Sequence, residues 1–127
     1  MAILSKAQIS DAQDIKVEEF HVPEWGGEVL ISVMSGKTLS EFQALLDNPD
    51  KQKDGGLLAQ TVALSLVDES GKPLYTKAEA YMLGKKNGAV LFRIFKKITE
   101  LNKIDDEDIE DVVADFDAPL DEDSTTD

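Results

Sequence analysis

The side chains able to do chemistry are few and poorly grouped. His21 is the one histidine of the chain, with Glu18, Glu19 and Glu24 close by in sequence. An imidazole beside carboxylates can move protons, but acid–base catalysis needs a reacting partner within reach, and this lone histidine lacks a nucleophile or metal partner. The pattern reads as an exposed strand histidine. The chain has no cysteine, which removes thiolate chemistry, disulfides, Cys-ligated zinc and iron–sulfur clusters. Gly26-Gly27 and Gly55-Gly56 lack the context of a phosphate-cradling loop, and no G-x-S-x-G is present. Asp106-Glu107-Asp108-Ile109-Glu110 offers oxygen ligands at alternate positions. However, Asp111 stands where a calcium loop requires glycine, and Asp117 where it requires glutamate. These residues predict no enzyme, no cofactor and no metal site.

The remaining candidates concern binding rather than reaction. Trp25, the only tryptophan, sits in Pro23-Glu24-Trp25-Gly26-Gly27. It is either an interface anchor, with Pro23 beside it, or a ring folded over its own hairpin. Arg93, Lys96 and Lys97 share one helix face. That face docks an acidic partner, including this chain's own C-terminal segment, or is a solvated surface of little energetic weight. Ile109, Val112, Val113 and Phe116 fall at i, i+3, i+4, i+7. They are the stripe of a helix that enters a partner's groove, or chance spacing in a solubilising tail.

The elements that must position these residues fit one domain of 127 residues, long enough to bury about two-thirds of its unfolded surface. The net charge of −13 is unevenly placed. Residues 105–127 carry twelve acidic and no basic residues, whereas 1–104 carry fourteen acidic and thirteen basic. The expected organisation is a globular body over 1–104 and an acidic, disordered tail over 105–127, too charged and too poor in apolar area to offset its ordering entropy. An acidic field argues against nucleic acid as a partner. No apolar run approaches the roughly 20 residues of a membrane span, and the first residues lack the features of a secretory signal. The chain is expected to be soluble and intracellular.

Within the body, Ser5-Lys6-Ala7-Gln8 fits a capping box and predicts a short helix over 3–13. Residues 15–22 and 28–33 read as two strands joined at the Pro23–Gly27 turn, a β-hairpin that must pack on helices or pair with another chain. Thr38-Leu39-Ser40-Glu41 reads as a second capping box, opening a helix that ends at Asn48-Pro49, before a flexible loop over 50–56. Residues 57–67 suit either helix or strand, and the length of the run favours helix. Thr76-Lys77-Ala78-Glu79 is a third capping box. Residues 88–104 carry the clearest amphipathic stripe, Leu91, Ile94, Phe95, Ile98 and Leu101. The predicted fold class is α+β, an N-terminal β-hairpin on a small set of helices.

Three blocks taken in order carry a family resemblance. They are Val22-Pro23-Glu24-Trp25-Gly26-Gly27 with Val29 and Ser35-Gly36, then Ala63 to Tyr75 with its Asp68-Glu69-Ser70-Gly71-Lys72-Pro73-Leu74 turn, then Leu91 to Asn102. Over residues 3 to 104 the chain resembles the tail assembly chaperones of long-tailed, non-contractile, lambdoid-type phages. The basic face of the third block departs from the more acidic helix usual there. The resemblance implies a chaperone that binds the tape measure protein and keeps it soluble and competent for tail tube polymerisation. It further implies self-association, action in the host cell cytoplasm, absence from the mature virion, and a longer frameshifted form that recruits the tail tube protein. A DNA-mimic inhibitor and a structural tail or connector subunit are the alternative readings.

Overall fold

The computed structural model describes residues 3–48 and 55–114. The chain begins with α1 (Lys6–Asp11), followed by β1 (Val17–Val22), a 3₁₀ turn (Pro23–Trp25) and β2 (Gly27–Ser32). Two helices follow, α2 (Gly36–Asp47) and α3 (Leu57–Ser65), and then the short β3 (Leu66–Val67). A 3₁₀ turn (Lys77–Glu79), α4 (Ala80–Leu83) and α5 (Gly88–Leu101) lead to a last 3₁₀ turn at Asp106–Ile109, which runs into helix over 110–114. The fold is α+β, as the periodicities predict. No helix among the described residues is long and apolar enough to cross a membrane.

The three strands form one antiparallel sheet in the order β1-β2-β3. The hairpin pairs Val17 with Ser32 through to Val22 with Gly27, and β3 sets Leu66 against Ile31 and Val67 against Leu30. The turn closes because Pro23 starts the 3₁₀ segment with its φ preset, and Gly26 ends it in the left-handed region, at φ 79°, where a residue without Cβ meets no steric penalty. Val22, Ile31 and Leu66 point into the core, each 1% exposed or less.

That core is built around α3. Leu57, Leu58, Ala59, Thr61, Val62, Ala63 and Ser65 are all buried, and a helix apolar on every side must be enclosed. It contacts α2, α4 and α5. The 57–67 segment is therefore helix for nine residues and strand for its last two, a division hidden by its uniform apolarity. Phe42 from α2 and Val90, Leu91, Ile94, Phe95 and Ile98 from α5 complete the core.

Caps set the boundaries. Ser5 with Gln8, and Thr76 with Glu79, form reciprocal capping boxes. At α2 the cap is Ser35 rather than Thr38: the Ser35 hydroxyl accepts from the Thr38 amide, and the helix begins one turn earlier, through Gly36. At the end of α5 the helix stops at Leu101, short of 104. Lys103 takes the left-handed conformation, φ 55°. The amide of Ile104 donates to the Thr99 carbonyl and that of Lys103 to the Glu100 carbonyl, which is the Schellman pattern. Gly84 closes α4 at a close approach of two backbones, since a Cβ there would lie 2.7 Å from the Gly55 carbonyl oxygen.

The core does not stop at Ile104, where the body was expected to end. Ile109 is fully buried and Val112 is 6% exposed, both within the same apolar cluster, with Val113 packed against it. Burial of these residues orders the start of the acidic segment despite its charge. Residues 115–127 lie outside the described residues.

Candidate functional site

Two surfaces gather the residues singled out above. The first is the hairpin tip and the α5 face beneath it. Pro23 is exposed and Trp25 is half-buried, its ring packed against the core cluster. Arg93 reaches from α5 to Glu24 of the turn with two parallel N–H···O bonds of 2.7 Å, the bidentate geometry that suits guanidinium and carboxylate. One turn on, Lys97 Nζ lies 3.1 Å from Glu18 of β1 and 3.5 Å from Glu100. Lys96 Nζ lies 3.9 Å from Asp106. The basic face of α5 is thus engaged within the chain, with the hairpin on one side and the acidic segment on the other.

These pairs set the local electrostatics. The Arg93 guanidinium, with help from Glu24's own backbone amide, holds the Glu24 carboxyl down from its ordinary 4.5 to about 2. Glu24 in turn raises Arg93, and Glu18 does the same for Lys97. Because the folded pKa of Glu24 is lowered, its stabilising effect is complete above about 4.5 and disappears as pH falls towards about 2. A Glu24→Gln variant should therefore be less stable than the parent at neutral pH, and the gap should close across that acid window in urea titrations. A gap unchanged at low pH would show that the carboxylate charge does not hold the tip.

The second surface is a groove between α2 and the 102–112 segment. Leu39, Phe42 and Leu46 form one wall and Asn102, Lys103 and Ile104 another, around a cavity of about 760 Å³. Ile109 and Val112 enter it from the acidic segment. Phe116, the fourth residue of the expected stripe, lies outside the described residues. Asn102 braces this region. Its Oδ1 accepts from the Met34 amide at 2.8 Å, and its Nδ2 donates to the Ile98 carbonyl at 2.8 Å. The brace joins residues 68 apart in sequence, and no local motif announces it.

His21 sits on the outer face of the sheet, its Nδ1 2.9 Å from Glu28 Oε2 across the hairpin. Among the described residues, no three ligand-type side chains gather closely enough to hold a metal ion. The acidic run that resembled a calcium loop instead uses Ile109 as a core residue.

The exposed apolar surface lies elsewhere than the hairpin tip. α1 buries none of its residues. Ile3, Leu4 and Ile9 are 60% exposed or more, and Ile15 and Val17 are about half exposed. In sequence, Leu4 and Ile9 have the spacing of a local staple, which conceals that α1 has no body beneath it. At six residues, shorter than the expected span of 3–13, the helix is too short to hold itself.

No family model matches the chain, and no curated protein matches it. Among solved structures, it is similar to the tail assembly chaperone of bacteriophage HK97. The alignment covers 75% of this chain and 90% of that one, with a TM-score of 0.53 and 22% sequence identity. The two chains share a fold. A member of the family that the Pro23–Gly27 turn, the Asp68–Leu74 turn and the stripe of α5 resemble thus has this fold. In this chain those blocks supply the hairpin tip, the turn after β3 and the central face of α5.

Proposed function

We propose that this protein is a phage tail assembly chaperone that binds the tape measure protein and keeps it soluble until tail tube subunits polymerise around it. The observation that carries the reading is the fold shared with the HK97 tail assembly chaperone over 90% of that chain. The described surface agrees with it: an apolar string from Ile3 to Val17 is exposed to solvent. Exposed apolar patches of this kind mark surfaces that meet other chains. In this reading the chaperone covers apolar helix stripes on its client by reversible contact. It acts in the host cytoplasm, leaves before the virion is complete, and has a longer frameshifted form that would recruit the tail tube protein.

Co-expression with a tape measure protein tests it. The client's soluble fraction should rise severalfold, and the complex should survive moderate salt, because apolar contacts are not screened as charge pairs are. A client that stays equally insoluble with and without this protein would defeat the proposal.

Self-association belongs to the same reading. The Val33 amide donates to the Lys16 carbonyl. By the alternation of an antiparallel ladder, the backbone groups of Val17, Glu19 and His21 then point away from β2. β1 is an edge of the sheet, and an open edge invites pairing. Sedimentation should show oligomers that grow with concentration, and Val17→Lys should shift them towards monomer. A parent chain that remains monomeric at high concentration would exclude the edge as an interface.

A further inference from the structure

We propose that the groove between α2 and the Asn102–Ile104 turn after α5 is a docking site for an amphipathic helix of a partner, and that residues 105–114 keep it closed in cis until such a helix displaces them. The assignment of that partner as the client rests on the chaperone reading; the competence of the groove does not.

The occupant seen in the structure defines what fits. Ile109 and Val112 are buried and Val113 is half-buried, while Asp108, Glu110 and Asp111 between them are exposed. The groove thus takes apolar side chains at i and i+3 from one helical face, with Val113 at i+4 packed against the adjoining core, the usual mode of helix-in-groove recognition. Its wall from α2, Leu39, Phe42 and Leu46, lies along one helical face at i, i+3 and i+7. The space that remains beside this contact, about 760 Å³, lies between Leu39, Phe42 and Leu46 on one side and the segment's own Glu107, Asp108, Glu110 and Asp111 on the other.

The cis contact is built to be exchanged. Among the described residues, no hydrogen bond ties residues 105–114 to the body. The one ion pair, Lys96–Asp106, spans 3.9 Å with Asp106 almost wholly exposed, a geometry of little strength. Six of the seven residues from 105 to 111 are acidic, and like charges one turn apart repel. The segment leaves α5 through Lys103, held in the left-handed conformation that disfavours a side chain. A helix with the same apolar spacing and near-neutral flanks makes the same burial without the repulsion, and so outcompetes the resident segment. The partner's chemistry follows: an amphipathic helix with a short apolar stripe and few acidic residues.

A fluorescein-labelled peptide of residues 105–127, with its acidic residues changed to glutamine, serves as the probe. The full chain should bind it weakly, because the groove is mostly taken. The full-length Ile109→Asp/Val112→Asp variant should bind it about tenfold more tightly or better, since affinity is reduced by the closed fraction. A variant that is folded by circular dichroism yet binds no better than the parent would overturn the proposal. Hydrogen exchange on the unmodified chain decides the matter without a variant. Amides of 109–114 should exchange at least about a hundredfold faster than those of α5, and faster still with the probe present. Exchange of 109–114 at the rate of the core would overturn it. If these hold and the variant nonetheless leaves a tape measure client no more soluble than no protein at all, the groove stands and the chaperone reading falls.

Discussion

Ending the chain at Ile104 should lower its stability by about 1–3 kcal/mol and its thermal midpoint by roughly 4–15 °C. The removed residues include Ile109 and Val112, buried in the main core. Each such side chain contributes roughly 1.5–3 kcal/mol when withdrawn from water. The backbone entropy lost in ordering the segment and the crowding of its carboxylates oppose that gain, so the net is a fraction of the burial. A chain ending at Ala114 should keep the full midpoint of the 127-residue protein. Equal midpoints for the chains ending at 104 and 114 would mean that Ile109 and Val112 gain nothing from their place in the core.

Replacing Phe95 by alanine should have the larger effect, about 3–5 kcal/mol. Phe95 is fully buried. Its ring lies 6.2 Å from Phe42 of α2, tilted by 53°, and 6.3 Å from Phe92, nearly parallel at 15°. These separations suit aromatic pairs, which add to plain area burial. Loss of the ring opens a cavity where α2 and α5 meet, beside the groove. Against a typical total of 5–15 kcal/mol, this variant should be visibly unfolded in dilute urea, with an unchanged slope. Phe92→Ala, at a half-buried position, should cost less. A Phe95→Ala loss below about 1 kcal/mol would show that the rings do not join the two helices.

Much of this architecture was legible because local rules and the global fold agree. Ser5 with Gln8 and Thr76 with Glu79 cap helices as their spacing requires, and the stripe of α5 faces inward at Leu91, Ile94, Phe95 and Ile98. Legibility failed where two local signals competed. Ser35 and Thr38 both qualify as caps, and only packing decides that the earlier one acts. The apolar run 57–67 carries no periodicity to separate helix from strand, because every face is enclosed. The fate of 105–114 was concealed by composition: six charges in seven residues outweigh two aliphatic side chains in any average, yet those two find the core. The apolar spacing of Ile109, Val112 and Val113 was visible as a candidate contact, but its groove within the same chain was not, since Leu39, Phe42 and Leu46 lie more than sixty residues away in sequence.

The join between α3 and β3 has no connecting residue. Leu66 is the cap of the helix, its amide donating to the Val62 carbonyl, and it is also the first residue of the strand, its carbonyl accepting from the Leu74 amide. One residue thus belongs to both layers, and helix and sheet turn together like a key and its bow. Neither layer can be loosened to admit a partner without loosening the other. Compliance in this molecule is left to its margins, at α1 on one side and beyond Lys103 on the other, so that a partner can be gripped and let go while the block between them keeps its shape.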